Sequence, residues 1–315
     1  MAAASSSSPK LIVFGEFFID LVFYDLPDVP RMGHEVKTRS FAELPGGGLA
    51  TTALVAATLG TATAAITRIG SDARTSLAWK KVSDGGVSTA ACEFSPRLPT
   101  ARTVCAAYNG DRMMITHDAI NARLDKLLTQ SAVERQLRRA KHIHLACDLR
   151  PLPQWYSLIR RLRAQGLTVS ADIGWNPRLF KSPGLLRLLG ELEFIFPNEI
   201  EALEMTGQRS VERALSKLGG CVRVPVIKLG KAGSVAIVNG KSMRARSIRV
   251  RSIDATGAGD AFNGGFLHGY LAGWPLMDCL RAGNVCGALA TTAAGGSSAM
   301  PTLARLRKLI RITHN

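Results

Sequence analysis

Long apolar runs are missing from this chain of 315 residues: no window reaches the length of uninterrupted apolar sequence that crosses a bilayer, so a membrane span is excluded from the reading. Paired cysteine motifs are missing too. The six cysteines, at 92, 105, 147, 221, 279 and 286, show no CxxC and no zinc-site spacing. Free thiols in a reducing compartment follow, with a bridge between Cys92 and Cys105 across a hairpin as the alternative. The first residues, MAAASSSSPK, lack a basic stretch followed by an apolar one, so residues 1–9 read as a disordered tail and the chain as soluble and cytoplasmic. Aromatic residues make up only 6% of the chain, and no basic run is interleaved with them, which speaks against a nucleic-acid partner. No GxxxxGK[ST] loop occurs anywhere. Acidic residues are scarce beside basic ones, 24 against 40, and the net charge of +16 favours anionic ligands in general.

What is present is a hydrophobic content of 46%, ample for one large α/β domain. Leu11 to Gly15 is a continuous apolar run of the kind buried parallel strands carry, and Phe17 to Phe23 prolongs it with Asp20 embedded. Pro45-Gly46-Gly47-Gly48 precedes a helix from about Ala50 to Leu59. Strands at 63–69, 142–147, 167–172, 193–197 and 224–229 alternate with helical segments, a rhythm that builds a parallel sheet with covering helices. Asp148 directly follows one of these strands and Asp172 ends another, at the end where open α/β sheets place ligands. Residues 88–117 break the rhythm with β-like runs and an Asn109-Gly110 turn; together with 21–44 they predict a small antiparallel flap. Arg244 to Arg251 predicts a bulged edge strand. His142 and His144 flank Ile143 in a strand and read as packing residues, because no third metal ligand is spaced to join them.

The stretch with most chemical content is Asp254 to Gly273, DATGAGDAFNGGFLHGYLAG. Gly257, Ala258 and Gly259 are too small to obstruct an anion, and Asp260 stands where the loop becomes a helix ending at Gly273-Trp274-Pro275. The first turn of such a helix presents amides without helical partners and the positive end of a dipole. A carboxylate beside it can take a proton from a hydroxyl held next to a phosphate, which suits phosphoryl transfer to an alcohol. A plain helix cap explains the four residues GAGD equally well; the longer string is more restrictive.

DATGAGDAFNGGF resembles the C-terminal signature of the ribokinase-like (PfkB) carbohydrate kinases, and weaker matches occur in the right order from about Lys10 to Ile310. The resemblance implies a Rossmann-like, mostly parallel α/β sheet flanked by helices, in one domain over 10–312, with a small antiparallel β lid. It implies ATP and Mg²⁺ as cofactors, Asp260 as catalytic base, and the amides of Gly257, Ala258 and Gly259 as an anion hole. By the same resemblance, Asp20, Gly46, Gly47, Thr51, Arg102 and Asp148 would hold a sugar-type substrate. Thr51 stands where many members carry Asn, and a hydroxyl cannot reproduce an amide's two-ended hydrogen bonding. Asn198 and Glu201, in NEIE, would organise Mg²⁺ through water, although the same four residues also read as an ordinary helix start. Lys228, Gly230 and Gly233 would lie at the nucleotide, Asn284 at its adenine, and Asp254 with Thr256 at a K⁺ site found in several members. Asp172, Asn176 and Arg178 match a further family region in imperfect register. The lid is often a homodimer surface in this family. A nucleoside kinase of the same fold and a non-catalytic ligand-binding regulator remain the alternative functions; the second should have lost the base or the NxxE acids, and both are intact.

Overall fold

The computed structural model describes residues 8–108, 111–293, 295–296 and 298–312. Its centre is a nine-stranded sheet, in the order Lys241–Ala245, Ser234–Val238, Val224–Lys228, Phe194–Ile195, Thr168–Ala171, His142–Ala146, Leu11–Gly15, Thr63–Ile66, Val87–Ser88. The seven strands from Val224–Lys228 to Val87–Ser88 run parallel, and the hairpin 234–245 adds the antiparallel edge. Later strands lie on one side of Leu11–Gly15 and earlier ones on the other, so the order reverses there, and a crevice opens at the carboxyl ends of Leu11–Gly15 and His142–Ala146.

Both faces of the sheet are buried, which is why its strands read as unbroken apolar runs. Ile12, Phe14, Ile143, Leu145 and Val169 pack beneath the helices Leu152–Ala164, Leu185–Leu189 and Val211–Gly219. Leu11, Val13, Phe194, Phe196 and Val226 face the other way, under the helices Gly47–Thr58, Leu77–Asp84, Ala258–Leu271 and Leu276–Ala290. The helix Ala258–Leu271 is fixed by Phe266, whose ring centroid lies 5.0 Å from that of Phe194 and 5.1 Å from that of Phe196, in edge-to-face pairs worth about 0.5–1.5 kcal/mol each beyond their burial. Its other sides are glycine: Gly264 packs on Val55 of one neighbouring helix and Gly265 on Cys286 of the next. The two glycines after Asn263 therefore set helix packing.

The four-stranded lid has the order Ser40–Gly46, Phe18–Tyr24, Arg102–Tyr108, Asp111–His117. Its outer pairs are antiparallel and its central pair parallel. The run 88–94 contributes no lid strand: Val87–Ser88 joins the large sheet, and Glu93–Ser95 pairs with Arg68–Gly70. The Asn109-Gly110 turn and residues 1–7 of the tail lie outside the described residues. The expected strand over 244–251 is also displaced. It occupies Lys241–Ala245 and stops there, where Asn284 Nδ2 donates to the Ala245 carbonyl at 3.0 Å and to that of Arg246 at 3.4 Å. Among the described residues no helix is long and apolar enough to cross a membrane, and none of the six cysteines is in a disulfide.

Candidate active site

A cleft of about 770 Å³ opens between the lid and the first turns of the helices Gly47–Thr58 and Ala258–Leu271. It gathers Asp20, Gly46, Gly47, Thr51, Asp254, Thr256, Gly257 and Asp260, which stand on three separate stretches of chain. Phe18–Tyr24 delivers Asp20 from the lid, and Ser40–Gly46 runs antiparallel beside it, placing Asp20 opposite Leu44. The helix Gly47–Thr58 begins where that strand ends, so Gly46, Gly47 and Thr51 meet Asp20 at one corner.

Opposite them the loop 254–257 is tied by its own side chain. Asp254 Oδ1 accepts from the Thr256 amide at 2.8 Å and from the Thr256 hydroxyl at 2.6 Å, while Oδ2 accepts from the Gly295 amide at 3.0 Å. Gly257 caps the next helix in the left-handed region at φ 71°, with Gly296 so near that a side chain at 257 would meet it. Of the three amides expected to face an anion, that of Ala258 also donates to the Ala255 carbonyl at 3.3 Å. Asp260 sits in the first turn of the helix. A Cβ placed on Gly48 would lie 2.9 Å from its Oδ1, so Gly48, absent from the sequence-derived site, forms the wall against which the carboxylate rests.

Asp260 is partly open to the cleft, yet its carboxyl is enclosed by protein on the other sides. Burial, with the carboxylates Asp172 and Glu201 nearby, pushes its pKa up to about 7 against the opposing pull of Lys228. Such a group is poised to exchange a proton near neutral pH.

Several expected residues lie elsewhere. Arg102 pairs with Asp72, which also accepts from the Thr100 amide and hydroxyl, and it does not line the cleft. Asp148 is held by Arg150, with Nε 2.7 Å from Oδ2, and lines a different cavity of about 310 Å³ with Glu16 and Asp118. Burial and those two carboxylates push the Glu16 pKa up to about 7. Asn284 is spent on the carbonyls of Ala245 and Arg246, and Gly230 and Gly233 shape the turn between Val224–Lys228 and Ser234–Val238. Asn198 and Glu201 form a reciprocal capping box: the Glu201 amide donates to Asn198 Oδ1 at 2.9 Å, and the Asn198 amide to Glu201 Oε2 at 2.8 Å. Burial raises the Glu201 pKa and Asp172 raises it further.

Behind Asp260, Lys228 Nζ lies 2.6 Å from Asp172 Oδ2, and Asn263 Nδ2 donates to the same oxygen at 2.6 Å. Burial alone would raise the Asp172 pKa, but Lys228 and Asn263 outweigh it and hold the carboxyl below its ordinary value. Asn176 instead caps the short helix Pro177–Phe180, accepting from the Leu179 amide at 3.0 Å. His142 bonds Thr168 at 2.7 Å, and both His142 and His144 reach Ser170, at 2.7 and 2.8 Å, as packing residues of the buried sheet. No group of three or more His, Cys, Asp or Glu suited to direct metal ligation occurs among the described residues.

A carboxylate at a helix start, a tied loop beneath it and a lid strand carrying a second acid form one cleft. The description "pfkB family carbohydrate kinase" matches residues 8–303. The chain belongs to that family. PfkB enzymes are ATP-dependent kinases, and the chain is an enzyme of that kind. Among curated PfkB-type relatives, fructokinase-2 of Oryza sativa subsp. japonica is 28% identical, over 98% of this chain and 96% of its own. A cytidine kinase of Thermococcus kodakarensis is 29% identical, over 87% and 92%. Among solved structures, a ribokinase II from E. coli in complex with ATP and Mg²⁺ superposes with a TM-score of 0.82 at 22% identity, covering 96% of this chain and 99% of that one.

Proposed function

We propose that this chain transfers the γ-phosphoryl group of ATP to a hydroxyl of a small sugar or sugar acid. The observation that carries the reading is the position of Asp260: its carboxyl opens into the cleft that Asp20 enters from the lid, at the first turn of a helix. Asp20 with the Gly46–Gly47 backbone orients the acceptor, and Thr51 adds a hydroxyl at the same corner. Asp260 takes the proton from the acceptor oxygen as that oxygen attacks phosphorus. The amides of Gly257, Ala258 and Gly259 face the phosphoryl oxygens, where preorganised donors and the helix dipole stabilise charge. The tie from Asp254 to Thr256 and Gly295 keeps that loop in place.

Mg²⁺ fits this donor set as an ion held through water and phosphate, because the nearest acids are single buried carboxylates and not a cage. Glu201, next to Asn198, would anchor its waters; bound there, the ion would neutralise phosphate charge. Asp254 and Thr256 border the loop where a K⁺ would sit among carbonyls. Binding of the nucleotide along Lys228, Gly230 and Gly233 with adenine towards Asn284 belongs to the same reading.

A nucleoside acceptor is the second reading, and Tyr24 and Tyr108 favour it, since both line the cleft from the lid and offer faces on which a base can stack. The apolar residues Phe41, Met113 and Ile115, exposed on lid strands, support a homodimer through the lid. The unbridged cysteines fit a cytoplasmic location. ADP release measured over sugars, sugar acids and nucleosides, with and without Mg²⁺ and K⁺, tests the reading. Asp260→Asn is expected to lower turnover by about 10²–10⁴-fold with ATP affinity nearly unchanged. Wild-type turnover in that variant would refute the assignment of the base.

A further inference from the structure

Lys228 is the last residue of the strand Val224–Lys228, and its side chain is 12% exposed, facing an Asp172 that is 10% exposed. Two buried opposite charges 2.6 Å apart usually make a closed structural pair. Here the pair is not isolated. Asn263, which donates to the same Asp172 oxygen, follows Asp260 by three positions on one helix and so shares its face. Gly259 completes the enclosure: a Cβ there would lie 3.1 Å from Lys228 Nζ, so the ammonium rests against the first turn of the helix, beside the proposed base. Three charged groups act on Asp260, and of these Asp172 and Glu201 are negative and Lys228 alone is positive.

We propose that Lys228 is a positioning residue for phosphoryl transfer: clamped by Asp172 and Asn263, its ammonium supplies the positive charge against which Asp260 ionises, and Asp172 limits that effect by sharing it. The inference rests on the reading of Asp260 as the base. Without Lys228, Asp260 would face two carboxylates in a largely enclosed site and would keep its proton to higher pH. Without the Asp172 charge, one repulsion disappears and the full ammonium field turns to Asp260, so it would ionise at lower pH. The two perturbations must therefore move one titration in opposite directions, which neither a purely structural ion pair nor a lysine that only contacts nucleotide phosphate would do.

The test is a pH titration of protein labelled with ¹³C at the aspartate side-chain carboxyls, with the Asp260 resonance identified by its loss in Asp260→Asn. In Lys228→Met the Asp260 midpoint is expected to rise by about one pH unit or more, and in Asp172→Asn to fall by a similar amount, in line with an opposite charge at close range. The acid limb of kcat/KM should move with each midpoint. Where Lys228→Met alone does not fold, Asp172→Asn/Lys228→Met, neutral at both positions, is compared with Asp172→Asn and should titrate at higher pH. Midpoints that stay in place, or that move the same way in both variants, overturn the proposal. So does a Lys228→Met enzyme whose KM for ATP rises while its acid limb is unmoved. Titrations that shift as expected in a protein without turnover on any acceptor leave the charge coupling standing and count against the kinase reading alone.

Discussion

Replacing Gly48 by alanine isolates the placement of the proposed base, Asp260, from its chemistry. The added methyl would lie 2.9 Å from Asp260 Oδ1 and 3.1 Å from the Ala146 Cβ, so it is about half an ångström short of ordinary contact on both sides. Ala146 is held in the centre of the large sheet, and the helix Gly47–Thr58 is packed along most of its length. The Asp260 side chain is the softest of the three, and it turns aside. A reacting group misplaced by about 1 Å costs on the order of 10²-fold, so turnover should fall about 10- to 100-fold. Stability should change by less than about 1 kcal/mol, because the helical preference of alanine over glycine opposes the crowding. Steady-state ADP release on the best acceptor, beside a thermal melt, reads both quantities. Turnover within twofold of wild type in a folded Gly48→Ala protein would show that Asp260 does not act from this wall, and the reasoning would fail.

Three other outcomes can be checked. The Glu16 pKa is raised from an ordinary 4.5 to about 7, so folding favours the protonated acid; that contribution is complete below pH 4.5 and lost as pH rises through 7. Glu16→Gln should therefore be the more stable protein at pH 8, by at most on the order of 3 kcal/mol, and show little difference near pH 4, as read from urea unfolding at the two pH values. Asp254→Ala removes the acceptor of three hydrogen bonds in the loop before Asp260, so a loss of about 1–3 kcal/mol and a drop in turnover are expected from melting and ADP-release assays. If the lid pairs two copies, Ile115→Arg, at a position 77% exposed, should convert a dimer to a monomer in sedimentation velocity while each copy keeps its fold.

Continuous apolar runs such as Leu11–Gly15 made the parallel sheet readable, because strands buried on both faces have no polar side to blur the pattern. The signature around Asp260 was equally plain, being local in the chain. What escaped was set by distance along it. Lys228 and Asp172 are 56 residues apart and Asn263 is 91 from Asp172, so nothing in any single stretch announces that they share one oxygen. Gly48 read as the third glycine of a turn, since its neighbour Asp260 lies on another helix. Arg102 was expected near the substrate from the resemblance alone; its partner Asp72 lies 30 residues away in the 3-10 helix Ser71–Thr75, out of sight of that stretch. The edge strand was misplaced for a similar reason: alternation over 244–251 is genuine, but the carbonyls of Ala245 and Arg246 are claimed by Asn284.

Only Glu16 and Phe17 separate the large-sheet strand Leu11–Gly15 from the lid strand Phe18–Tyr24, and Phe17 is fully buried. That connection leaves no slack for the lid to swing while its cargo stays behind. Any rocking of the small sheet must carry Asp20, and Gly46 on the strand paired beside it, along the same arc. On the proposed reading, entry and grip would be geared together: opening the mouth of the cleft would loosen the hold on the acceptor, and shutting it would seat the acceptor and expel solvent in a single stroke.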